Sequence, residues 1–250
     1  MSFFLFAGLG AFWSGFWYWW FRNTPQEVRQ VSIEERDAIG APATRSGRHL
    51  PWKLLLRDAN FLRLCAMYHT YCWGAYFFLS WLPTYLQKGR GLSEDDMRIA
   101  SSLPAWASLV GLVLGGLISD HLARHYSLWV ARCVVGASGL IAAGLSLALA
   151  TVTPDNWTAV GLLTFGLGAM GLMLPVSWSI CVDMAREHAG AISGAMNTAG
   201  QVGSLVSSIA FGYWVEWSGS YDRALMPLAA ALIVSGCLFL SIDPARELPK

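Results

Sequence analysis

Ser193, Asn197, Gln201, Ser204 and Ser208 recur through an otherwise apolar stretch at spacings of 4, 4, 3 and 4, which stacks them on one helix face. Two carboxamides one turn apart can donate and accept hydrogen bonds without carrying charge. Burying an unpaired amide in hydrocarbon costs roughly 2–7 kcal/mol, so this face meets either another helix or the wall of a wet cavity holding a polar solute. His69, Trp73, Tyr76 and Ser80 repeat the geometry at spacings of 4, 3 and 4, flanked by Tyr68 and Tyr71. An intramembrane histidine can relay protons or donate a hydrogen bond to a solute anion, and the aromatic rings either wall a solute pocket or simply pack. Ser177, Trp178 and Ser179 follow Pro175, whose missing N–H frees a carbonyl that can line a cavity. No residue set supports covalent or metal chemistry. There is no His-Glu-x-x-His, no Gly-x-Ser-x-Gly and no Walker loop, and the five cysteines form no Cys-x-x-Cys pair. No catalytic residue, metal or cofactor is expected, and the chain does not read as an enzyme.

The elements that position these residues follow from composition. Of 250 residues, 55% are hydrophobic and only 13% charged, against about 25% charged in a soluble domain. Of the 33 charged residues, 13 fall between Arg22 and Arg63, and the rest cluster between long apolar runs. That is the layout of an all-α, multi-pass integral membrane protein, and the 13 tryptophans suit its interfaces with the lipid bilayer. A net charge of +1 argues against nucleic acid as a partner. Seven stretches reach the roughly 20 apolar residues a bilayer demands. They are Ser2 to Phe21, Phe61 to Leu86, Ile99 to Ser119, Leu128 to Thr151, Trp157 to Val182, Ala189 to Val215 and Leu225 to Ile242. The first has no basic residue after Met1 and is too long for a signal peptide, so it reads as an anchor helix.

With seven spans the polar segments alternate sides. One set holds 13 of the 17 Lys and Arg residues, which places the N-terminus outside and the C-terminus in the cytoplasm. The expected organisation is a helix at 1–22, a cytoplasmic linker at 23–59, a six-helix bundle at 60–242 and a cytoplasmic tail at 243–250. Glycines such as Gly111, Gly115, Gly168, Gly171, Gly200 and Gly203 suit close helix packing in lipid, whether static or able to slide. Asp183 at a helix end reads as a solvated or locally paired carboxylate.

The turn Gly116-Leu117-Ile118-Ser119-Asp120-His121-Leu122-Ala123-Arg124-His125 resembles the signature turn of the major facilitator superfamily, Gly-x-x-x-Asp-Arg/Lys-x-Gly-Arg-Lys/Arg. His121 and Ala123 depart from it. Gly116, Asp120 and Arg124 are thus expected to form a cytoplasmic gating turn in which Asp120 pairs with Arg124. Trp20 to Glu27, Tyr76 to Leu86 and Met196 to Gln201 are similar to passages of the anion:cation symporter family, which usually has Asn where Gln201 stands. The resemblance implies that the seven spans are helices six to twelve: one orphan helix plus the C-terminal six-helix bundle. Helices one to five, with most of the residues that grip the substrate carboxylate and couple to protons, would lie in an N-terminal half not present here. Tyr68, His69, Tyr71, Trp73, Tyr76, Ser177, Trp178, Asn197 and Gln201 are then the expected substrate-binding residues.

The leading expectation is the C-terminal half of a proton-coupled symporter of organic anions such as hexuronates or aldarates, working by alternating access in a bacterial inner membrane. The alternative is a truncated fragment that transports nothing unless an N-terminal half is supplied. A membrane sensor of unrelated fold is a third reading, which predicts no coupling to ion gradients.

Overall fold

The computed structural model describes residues 2–24, 27–28, 31–39 and 51–248, and among these every regular element is helical. The chain divides into two units, Met1–Arg48 and His49–Lys250. The first holds α1 (Ser2–Trp20) and the short α2 (Ile33–Ile39). On α1 the rings of Trp17 and Phe21 stack 4.9 Å apart and those of Phe16 and Trp20 stack 6.3 Å apart, the i, i+4 pairs that a helix places on one face. Much of the expected linker, residues 25–26, 29–30 and 40–50, lies outside the described residues.

The second unit begins with α3 (Trp52–Leu55) and continues into a helical rod from α4 (Ala59–Tyr76) to Gly89. Two π-helical stretches, Phe77–Trp81 and Tyr85–Gly89, flank α5 (Leu82–Thr84), which contains Pro83. Proline removes the donor that would close a regular turn, and the wider π turn absorbs the misfit. The rest is α6 (Glu94–Ala123), a π-helical entry Trp129–Val134 leading into α7 (Val135–Val152), α8 (Asn156–Ala185), α9 (Ala189–Ser218) and α10 (Tyr221–Leu240).

Four of the long helices, α4, α6, α8 and α10, start at a residue whose side chain accepts from their free amides. Asp58 accepts from the amides of Asn60 and Phe61 at 2.9 and 3.0 Å, and Asp155 from that of Thr158 at 2.7 Å. Hydrogen bonds from the Thr158 side chain and amide hold the Asp155 carboxyl below the usual carboxylate range. Ser93 caps α6, whose first turn carries Glu94, Asp95 and Asp96, and Gly219 closes α9 with a left-handed φ of 62°.

By length and composition, α6, Trp129–Val152, α8 and α10 can each cross a membrane. The other expected spans are helical as well. Their hydropathy is lower for identifiable reasons: α1 is crowded with Trp and Tyr, α4 is short and rich in Tyr, and α9 carries the Ser, Asn and Gln stripe. In the second unit the helices pack in the order α6, α8, α7, α10, α4, α9, and α8 also meets α9. Backbones approach closely where side chains are absent: Gly111 lies against the Gly168 carbonyl, and a Cβ at Gly171 would sit 2.7 Å from the Ser108 carbonyl.

Candidate functional site

The polar residues of α4 and α9 face one another. The buried face of α9 runs through Ile192, Met196, Gly200, Gly203, Ser207 and Phe211, each one position before a member of the polar stripe or one turn beyond it. That 100° offset sets the stripe along the edge of the packed surface rather than at its centre. Ser204 is the exception: it is buried, and its hydroxyl donates back to the Gly200 carbonyl at 2.9 Å. Gln201 is exposed, and its Oε1 accepts from the Tyr76 hydroxyl at 2.9 Å, tying α4 to α9. Asn197 is half-buried, and among the described residues its carboxamide has no hydrogen-bond partner.

His69 is fixed from both sides. Nδ1 lies 3.0 Å from the Ala199 carbonyl of α9, which can only accept, so Nδ1 carries the hydrogen. Nε2 then accepts from the Trp73 indole N–H at 3.3 Å. This pattern describes a neutral imidazole whose two nitrogens are both occupied. The Trp73 ring packs on Trp214 at 5.8 Å, and the Ser207 hydroxyl donates to the Trp73 carbonyl at 2.9 Å. Tyr68 is buried, its ring 5.3 Å from that of Tyr71, and it meets the Trp178 side chain of α8. Tyr68 also fills the space that Gly200 leaves on α9.

The expected residues therefore divide. Tyr68, His69, Trp73, Tyr76, Trp178 and Gln201 come together where α4, α8 and α9 meet, and Tyr71 and Asn197 lie on two of these helices, α4 and α9. Ser177 stands apart: it is fully buried and its hydroxyl is donated to the Leu174 carbonyl of its own helix at 2.8 Å. Trp178, its neighbour, is turned 100° away and is 41% exposed.

The gating turn differs from expectation. α6 ends at Ala123, so Arg124 is its C-cap, and among the described residues the Arg124 guanidinium bonds to nothing. Asp120 is instead approached by Arg132, 3.3 Å away, at the entry to the next helix. The same guanidinium donates to Ser119 at 2.6 Å and pairs with Asp183 of α8 at 3.1 Å. Gly116 faces open space. Sequence reading missed Arg132 because it lies next to the turn without matching the signature. The clue was three charges, Asp120, Arg132 and Asp183, at the same-side ends of successive helices.

Two more clusters went unread. At this same end, Arg246 pairs with the buried Asp58 at 2.8 Å, Asn60 bonds both the carbonyl and the amide of Asp243 at 2.7 and 2.9 Å, and the Leu248 amide donates to the Met184 carbonyl at 3.0 Å. At the opposite end, the largely buried Arg90 guanidinium pairs with Asp222 at 3.0 Å. It donates to the Tyr85 hydroxyl at 2.7 Å, to the Thr153 carbonyl at 2.6 Å and to that of Ala150. It thereby neutralises the negative end of α7.

A bundle of long apolar helices with a neutral polar face along one edge and charges confined to its ends is the build of a polytopic membrane transporter. Residues 1–208 match the Major Facilitator Superfamily, and the chain belongs to that family of integral, multi-pass membrane proteins. It is 32% identical over 251 residues to the probable sulfoacetate transporter SauU of Cupriavidus necator, an alignment covering 97% of this chain and 57% of that protein. It is 27% identical over 246 residues to the hexuronate transporter of Bacillus subtilis, with 95% and 56% covered. It is 33% identical over 181 residues to the probable galactarate/D-glucarate transporter GudP of Escherichia coli, with 68% and 38% covered. The chain thus spans about half the length of the first two of these relatives.

Proposed function

We propose that this chain supplies the C-terminal half of the cavity in a symporter of small organic anions, with seven membrane spans corresponding to helices six to twelve and a cytoplasmic C-terminus. The observation that carries this reading is the pairing of a neutral, partly open polar edge on α4 and α9 with relatives whose names specify sulfoacetate, hexuronate and galactarate or glucarate. Carboxylates and sulfonates of this kind carry hydroxyls or short chains beside the charge. Neutral donors and acceptors such as Asn197, Gln201, Tyr71, Tyr76 and the Trp178 indole suit those parts, while the charge itself needs a cation from the other half. His69, with both nitrogens occupied, serves as a fixed support for Trp73 in this scheme. Protons from the membrane gradient drive uptake, and the two halves rock about the midplane site. The setting is a bacterial inner membrane.

The experiment is uptake of labelled glucarate, hexuronate and sulfoacetate into cells carrying the chain together with an N-terminal half. Asn197→Ala and Trp178→Ala are expected to lower kcat/KM by about tenfold each, the loss of one good polar or aromatic contact. Unchanged uptake in both variants removes the pocket assignment. Collapse of the proton gradient abolishes accumulation if protons are the coupling ion, whereas dependence on sodium alone replaces that part of the proposal.

The alternative, that the chain transports nothing by itself, is favoured by its length relative to its relatives and by the open polar edge. Expression of this chain without an N-terminal half then yields no uptake.

A further inference from the structure

At the turn from α9 to α10, on the Arg90 side of the bundle, a cleft of about 400 Å³ is lined by Trp214, Trp217, Ser218, Arg223 and Pro227. None of these residues belongs to the polar edge described above. The free side-chain hydrogen-bonding groups of the cleft are all donors. Among the described residues the Arg223 guanidinium has no partner, and neither indole N–H of Trp214 and Trp217 has an acceptor. The Ser218 hydroxyl is spent inside the turn, donating to the Trp214 carbonyl at 2.6 Å and the Ser220 carbonyl at 3.0 Å.

The neighbouring carboxylates do not cancel this charge. Asp222 is held by Arg90 and by the Tyr85 hydroxyl at 2.8 Å, and Glu216 is exposed and does not line the cleft. The cleft is therefore one cation and two N–H donors framed by indole faces, with Trp217 left 88% exposed. It lies at helix ends, where Trp and Arg of a membrane protein meet the polar boundary of the bilayer. A guanidinium there binds phosphate or carboxylate oxygens, and the flat indoles offer apolar cover to whatever carries them.

We infer that the Trp214–Trp217–Arg223 cleft is an anion-binding site, separate from the polar edge of α4 and α9. It takes a phosphate or carboxylate group borne by a lipid headgroup or by a soluble small anion. This inference stands whether or not the transport proposal holds. Trp214 packs on Trp73, which donates to His69, so an occupant of the cleft touches a ring one contact away from that pair.

The test uses the whole chain in vesicles and reads tryptophan emission, with Trp217→Phe identifying the share that comes from the cleft. In the lipid arm, brominated phosphatidylglycerol diluted into phosphatidylcholine is expected to associate about fivefold more strongly than brominated phosphatidylcholine, the gain of one Arg facing an anionic headgroup. Arg223→Gln brings the two lipids level. In the soluble arm, sodium acetate or inorganic phosphate is titrated into pure phosphatidylcholine vesicles. A response lost in Arg223→Gln assigns a free anion, and a response in the lipid arm alone assigns a headgroup. Equal quenching by the two brominated lipids with no response to acetate or phosphate overturns the inference, as does any response that Arg223→Gln leaves intact.

Discussion

Two seams of the bundle use the same small-residue device to different ends. Between α6 and α8, Gly111 and Gly115 set backbone against backbone at Gly168, Gly171 and Leu172, and among the described residues no polar side-chain hydrogen bond crosses the contact. Between α4 and α9, Gly203 again meets a carbonyl, that of His69, but above and below it the room is taken by Tyr68, Trp73 and Tyr76. The first seam is close-packed backbone to backbone, so its stability rests on van der Waals contact. The second gives up some of that contact for side chains with an apolar body and a polar tip, and it leaves Asn197 and Gln201 at its rim. The proposed solute pocket falls at the second seam, where a polar group can exchange partners without opening the helices.

Substitutions can break this contrast in descending order of effect. Gly111→Val forces a branched side chain into the Gly168 backbone, which cannot rotate aside. Destabilisation of at least about 3 kcal/mol is expected, read as loss of monodisperse protein in detergent or a lowered Tm. Gly200→Ala meets the Tyr68 ring and the Cys72 thiol at 2.6 and 2.8 Å, but these are side chains that can shift, so a cost of about 1 kcal/mol is expected in the same assay. An equal loss in both variants would erase the distinction between a backbone seam and a side-chain seam. Gln201→Leu deprives the Tyr76 hydroxyl of its acceptor. The interhelical bond is worth about 0.6 kcal/mol, so Tm barely moves while uptake by the completed transporter falls. Ser177→Ala is expected to change neither quantity measurably, since that hydroxyl only returns to its own helix. A drop in uptake there would place Ser177 in the pocket.

The helices themselves were legible because apolar length is a local property: the seven expected stretches coincide with helical residues of the structure, overrunning a helix end only at Phe21 and at Ser241 and Ile242. Rotation about the helix axis was not. α8 is apolar all round, so nothing in its sequence distinguishes the direction of Ser177 from that of Trp178. α9 was easier, since its polar stripe marks a face, yet the packed surface is centred one residue away, at Met196, Gly200, Gly203 and Ser207. The ion pairs were the least legible. Asp120 has an arginine four residues on and another twelve on, and spacing favours the first. The helix ending at Ala123 and the return of the chain through Leu128 bring the second.

The fastening of Asp58 and Asn60 by Arg246 and Asp243 also sets an order of events during synthesis. The start of α4 leaves the ribosome nearly 190 residues before its partners do, so through most of translation a carboxylate and a carboxamide at that helix end must rely on water. Residues 243–248 are made last, after all of α4 to α10, and only then does the end of the bundle close over Met184. A chain ending at Ile242 would keep every helix of the bundle and still present an unlatched end, the state in which quality-control proteases have their longest opportunity to act.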